Sequence, residues 1–199
     1  AGVLKDAVKL FRRNTNLLRI MFNKSLIFIA VFILWRVSSQ YFTSKDVPLV
    51  FIGIATSAFQ LIGYCVIRNI TKFLPHIKIE ARINTINLFI ATLLIFFFVL
   101  NLAQASMLMV LGVYVLILAS EVIKGPIYSE IINKASSSYN RATTISLANF
   151  LKSILDVPLL FLSAYLVSLG YIYLFALVVV IAIVSTVFFP LKNNADPIS

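Results

Sequence analysis

Residues 171–189, YIYLFALVVVIAIVSTVFF, run for nineteen positions without one charged side chain. About 20 predominantly apolar residues are what a helix needs to cross a hydrocarbon core of roughly 30 Å. Residues 84–102, NTINLFIATLLIFFFVLNL, carry the same signal once their first polar positions are passed. The whole chain shares this character: 199 residues, 61% hydrophobic and 12% charged, with mean hydropathy +1.00. A soluble domain typically carries about 25% charged residues, with its apolar positions broken into short periodic runs. The composition therefore excludes a soluble enzyme.

Working outward from these two blocks, the apolar runs predict six spans, at 22–42, 48–71, 84–102, 107–130, 142–167 and 170–190. Backbone polar groups in a bilayer must be satisfied within the segment, so spans of this length are helices. The expected fold is an all-α polytopic bundle over 22–190, preceded by a linker at 1–21 and followed by a tail at 191–199. In the linker Val3, Leu4, Ala7, Val8, Leu10 and Phe11 are set against Lys5, Lys9, Arg12 and Arg13 at helical spacing. That pattern predicts an amphipathic helix lying on the membrane surface. The chain opens at Ala1 with this charged stretch rather than with a signal peptide, and is expected to be a piece of something longer.

The net charge of +10 raises nucleic acid as a partner, and the placement of the charges removes it. Lys5, Lys9, Arg12, Arg13, Arg19 and Lys24 precede or open the first span. Arg68, Lys72, Lys78 and Arg82 flank the second connection, Lys134 and Arg141 the fourth, and Lys192 lies in the tail, whereas the remaining connections hold only Lys45. Lys and Arg accumulate on cytoplasmic loops, so both ends of this segment are expected on the cytoplasmic side of a cell membrane, against anionic lipid. The one cysteine, Cys65, lies in an apolar block and the one histidine is His76. No disulfide framework, metal centre or other cofactor is expected from them.

Charges inside spans are rare and mark pathways. The first span carries Arg36, Ser39 and Gln40; the second has Thr56, Gln60 and Tyr64 on one face. Tyr114, Glu121, Lys124 and Tyr128 make a stripe on the fourth, and Asn149, Lys152, Asp156 and Ser163 make one on the fifth, with Pro158 predicting a kink. Spans three and six lack such stripes. The plain span falls third in each set of three, which predicts two three-helix repeats. Spans one, two, four and five would line a cavity while three and six face lipid. Lys152 with Asp156 and Glu121 with Lys124 are spaced to pair along their own helices. Arg36 has no acid on its span and must pair across helices or meet an anionic substrate.

Several strings give these features a family likeness. Tyr139-Asn140-Arg141-Ala142-Thr143-Thr144-Ile145-Ser146-Leu147 resembles the start of the eleventh helix of drug-efflux-like bacterial members of the major facilitator superfamily. Glu121 through Gly125-Pro126 resembles the inner part of their tenth helix, and Trp35 with Gln40-Tyr41-Phe42 the outer end of their seventh. The loop from Arg68 to Pro75 keeps only the basic character of the family's corresponding loop. The resemblance implies the C-terminal half of a twelve-helix transporter, with the N-terminal six-helix half of the same chain as its partner. It also implies alternating access around a site near the bilayer midplane.

On this reading Arg36, Gln40, Gln60, Glu121, Lys124, Lys152 and Asp156 line the path of a small-molecule substrate. Glu121 and Asp156 are candidates for proton coupling, and Arg141 for the cytoplasmic gate. Proton-coupled efflux of small amphipathic compounds is the direction the resemblance implies. An uptake permease and a self-contained six-helix channel or carrier acting as an oligomer are the alternatives. An intramembrane enzyme finds no support, because no nucleophile elbow, no intramembrane His and no paired aspartates are present.

Overall fold

The computed structural model describes residues 15–73, 77–135 and 141–191, and of residues 70–73, 133–135 and 141–143 the backbone alone. All regular structure among these residues is helical: α1 (Thr15–Thr43), α2 (Leu49–Phe73), α3 (Ile79–Leu102), α4 (Met107–Ala135), α5 (Arg141–Leu169) and α6 (Tyr171–Phe188). Each is long and apolar enough to cross a membrane. The chain is a multi-pass membrane protein. The amphipathic segment predicted within 1–21 lies outside the described residues up to 14, and the tail outside them from 192.

Three tight turns set the ends of the helices. After α1, Lys45 N–H donates to the Phe42 carbonyl and Asp46 N–H to that of Thr43, with Asp46 at φ 58°. After α3, Ala105 N–H reaches back to the Leu100 carbonyl around Gln104 at φ 49°, satisfying a carbonyl the helix end leaves free. Gly170 joins α5 to α6 at φ 139°, a conformation that only glycine adopts without strain. α5 runs through Pro158, and α4 through Pro126, each as one continuous helix.

α1 and α4 form the middle of the bundle. α3 and α6 pack on each other, with α3 also against α4 and α6 against α1. Two locks tie these four helices together at opposite ends. At one end Tyr41 of α1 packs edge-on to Phe97 of α3 and to Phe175 of α6, its ring centroid 5.0 Å from that of Phe175, and donates its hydroxyl to Asn101. Nearby, Phe42 packs on Tyr114 of α4 at 5.3 Å, and the Tyr114 hydroxyl donates to Ser38 of α1.

At the other end the lock is polar. Asn87 of α3 donates to Asn23 of α1 at 2.7 Å, Tyr128 of α4 donates to the same Asn23 oxygen, and Ser185 of α6 donates to the Asn23 carbonyl at 3.0 Å. All four side chains are buried. Lipid tails are as apolar as Leu, so helices in a membrane gain little from burying apolar surface, and interlocking rings and hydrogen bonds carry the specificity.

α2 packs on α4, and α5 chiefly on α1 with some contact to α6. These two helices bury the smallest shares of their apolar windows. Phe51, Ile54, Leu61 and Tyr64 of α2 are exposed, as are Ile154, Val157, Phe161 and Tyr165 of α5. Spans three and six, expected to face lipid, also expose large apolar side chains, such as Phe89 and Val99 on α3 and Val180 and Val187 on α6. Their small polar side chains, Asn87 and Ser185, join the interior lock instead of facing lipid.

Candidate functional site

The charges that interrupt the apolar runs lie close to the midpoints of α4 and α5 and, for Arg36, in the last third of α1, each helix 29 residues long. α1 supplies the scaffold. Its rings at 28, 32 and 35 follow spacings of four and three, which puts them on one helical face. Phe28 and Phe32 stack at 5.1 Å and Phe32 and Trp35 at 5.6 Å, forming a continuous strip of rings. On one flank the strip borders a cleft of about 210 Å³ that Val31 also lines. Phe59 and Gln60 of α2 form one wall, and Leu118, Glu121 and Val122 of α4 the other.

On the other flank of the strip stand the charges of α5. The Lys152 ammonium lies 3.8 Å from the Phe28 centroid, and the Arg36 guanidinium carbon 4.2 Å from that of Phe32. Such contacts are worth most when desolvated. Arg36 also meets Asp156 across the α1–α5 boundary at 3.8 Å, with both side chains partly open to the surroundings. The Arg36 pairing thus follows the interhelical option left open by the sequence. The pairing of Lys152 with Asp156 along α5 does not form: Lys152 turns to the rings, and Asp156 turns to Arg36.

Glu121 and Lys124 do pair, at 2.7 Å. The contact is a close approach of opposite charges without hydrogen-bond alignment, and neither atom has another polar partner. Lys124 is fully buried behind Glu121 and faces the Tyr128 ring rather than the cleft. Asp156 Oδ1 is likewise buried without a hydrogen-bond donor.

Of the residues predicted to line a path, Gln60 and Glu121 border the cleft, and Arg36, Lys152 and Asp156 gather across the ring strip. Lys124 stands behind, as the counter-charge of Glu121. Gln40 is exposed one turn beyond Arg36 and does not border the cleft. Arg141 opens α5, and its side chain lies outside the described residues. Sequence reasoning passed over Phe28, Phe32 and Trp35 as a unit, although their spacing carries the signal. It also passed over Asn23, a polar residue that becomes the hub of the buried lock. The His, Cys, Asp and Glu side chains among the described residues form no group able to hold a metal ion.

Comparison of the chain with protein-family models, with curated proteins and with solved structures finds no match.

Proposed function

We propose that the chain forms one half of a secondary active transporter that works by alternating access. It would move small amphipathic compounds out of the cell across the plasma membrane, with protons as the coupling ion. One observation carries this reading. Two carboxylates, Glu121 beside the ring-lined cleft and Asp156 across the ring strip from it, sit at mid-helix depth, each partly open and each held by a cation. Charge at this depth is costly, and helices that carry it usually face a cavity or a translocation path.

The helix packing supports the two-repeat part of the proposal. Exchanging α1 with α4, α2 with α5 and α3 with α6 carries most contacting helix pairs onto other contacting pairs. Such pseudo-symmetry is common where a substrate site lies between repeats. The exposed apolar faces of α2 and α5 would meet the second six-helix half. Efflux as the direction rests on the resemblance of the Arg141–Leu147 and Glu121–Pro126 strings.

The coupling role falls to Glu121 and Asp156, each held by a cation that a change of conformation can withdraw. Transport of a candidate compound into inverted vesicles, with and without an imposed proton gradient, tests it. Glu121→Gln or Asp156→Asn is expected to abolish the dependence on the gradient while leaving exchange in its absence. Gradient-driven transport that is unchanged in both variants removes the coupling assignment.

A further inference from the structure

The charges around the ring strip do not balance. Arg36 and Asp156 form one pair and Lys124 and Glu121 another. Lys152 forms no ion pair among the described residues and rests on the faces of Phe28 and Phe32, at 3.8 and 6.0 Å. Three cations thus face two carboxylates at this depth. A ring face steadies a cation through its quadrupole but does not cancel its charge. At this depth in a membrane an uncancelled cation calls for an anion.

The cleft beside the strip is apolar apart from Gln60 and Glu121. Its volume of about 210 Å³ lies below the roughly 300–1,000 Å³ of sites that enclose a drug-sized ligand. It has room for one flat ring, stacked on Trp35 and Phe32, while the rest of the molecule reaches across the strip. A substituent crossing there would meet Lys152, with Arg36 already paired to Asp156. We infer that this site selects organic anions with a planar aromatic group, the ring held in the cleft and the anionic group by Lys152. A cationic ligand would add to an existing excess, because both carboxylates already hold cations. A small inorganic anion would leave the ring-lined cleft unfilled. The inference deepens the transport reading and rests on it for treating the site as a substrate site.

Trp35 is the single tryptophan of the sequence and borders the cleft, so its emission reports occupancy. The experiment titrates the full-length protein in nanodiscs of zwitterionic lipid with 4-nitrobenzoate, 4-nitrobenzyl alcohol and 4-nitrobenzylammonium, nitroaromatics that quench tryptophan. Trp35→Phe identifies the quenching that belongs to the site. 4-Nitrobenzoate is expected to bind at least tenfold more tightly than either other probe. Lys152→Met should erase that preference, and Lys152→Arg should keep it.

Equal or tighter binding of the ammonium probe, no saturable quenching at all, or an unchanged preference in Lys152→Met overturns the inference. The comparison of probes on the wild-type protein needs no variant to fold. Selective binding of the benzoate without movement of any probe into proteoliposomes sinks the transport reading and leaves the ligand class standing. Transport that favours the ammonium probe does the reverse.

Discussion

Among the described residues Lys124 is the most fully enclosed charge, and Glu121 is what makes it tolerable. The ammonium is 1% exposed and the carboxylate 20%, with 2.7 Å between them. Removing one member of a buried pair typically costs about 3–5 kcal/mol because the other is left uncompensated. The partial exposure of Glu121 places Lys124→Met toward the lower end, since the stranded carboxylate can be solvated. Unfolding in mixed detergent micelles is expected to show Lys124→Met as clearly destabilised, and Lys124→Met with Glu121→Gln as less so than the single change. Additive losses would show that the two groups do not depend on each other. Asn87 poses the same question without charge. Its amide donates to Asn23 at 2.7 Å and Tyr128 at 3.0 Å, in a site closed to water. Interhelical hydrogen bonds in membranes average about 0.6 kcal/mol, but an unpaired buried group costs roughly 1–3 kcal/mol. Asn87→Leu removes the amide, whose two partners still hold each other, and is expected to cost about 1 kcal/mol in the same assay. A loss of several kcal/mol would mean that the lock fails as a unit.

At the scale of the element, α2 depends on one close approach. A Cβ built on Gly63 would lie 2.8 Å from Val122 Cγ1 and 3.0 Å from its Cβ on α4, whereas one on Gly53 meets nothing within 4 Å. Small residues let membrane helices approach, and a branched atom near the backbone has little freedom to yield. Gly63→Val is expected to destabilise by about 1–3 kcal/mol as an overpacking change. Gly53→Val should stay within about 0.5 kcal/mol, as surface substitutions do. Similar melting temperatures for the two variants would show that α2 is not seated on α4 at this point. The helices themselves were legible because apolar length is a direct imprint of bilayer thickness. Ends marked by the turns at Thr43–Pro48, Ala103–Ser106 and Gly170 fall within two residues of the predicted spans. On the basic side α1 begins at Thr15 rather than 22, α3 at Ile79 rather than 84, and α4 runs to Ala135 rather than 130. Apolarity stops at the head groups, but backbone hydrogen bonding continues past them, so these helices carry Arg19, Glu80 and Arg82 beyond the apolar run. The partners of the charges were less legible. Helical spacing offered Asp156 a mate four residues away at Lys152, and only the crossing of α1 and α5 shows that Arg36 takes its place. Stacking of Phe28, Phe32 and Trp35 was readable from spacing, yet three apolar residues on an apolar span stand out only when a cleft opens beside them.

For the whole molecule, the sign of the loop charges decides how the bundle sits in its membrane. Cytoplasmic loops gather Lys and Arg, and the bias acts through residues near the helix ends. Arg19, Arg68, Lys78 and Arg82 lie toward the end of the bundle that carries the Asn23 lock. Lys45 alone lies at the end that carries the Tyr41 cluster. Lys124 and Lys152 sit at mid-helix depth and Arg36 within the apolar run of α1, each held against a carboxylate or a ring, so they do not enter this balance. The orientation is therefore expected to place the turns at Asp46 and Gln104 outside and Lys78 inside. Cys65 is exposed on α2 and is the one cysteine, so Cys65→Ala provides a background free of thiols in this sequence. A membrane-impermeant maleimide applied to intact cells is expected to label Gln104→Cys in that background, and to label Lys78→Cys only after permeabilisation. The opposite pattern would invert the bundle and turn the cleft's inner and outer mouths around. With them would go the efflux direction, which needs the basic end on the cytoplasmic side. Labelling of both positions in intact cells would mean mixed orientation, and would break the link between the charge bias and a single direction of transport.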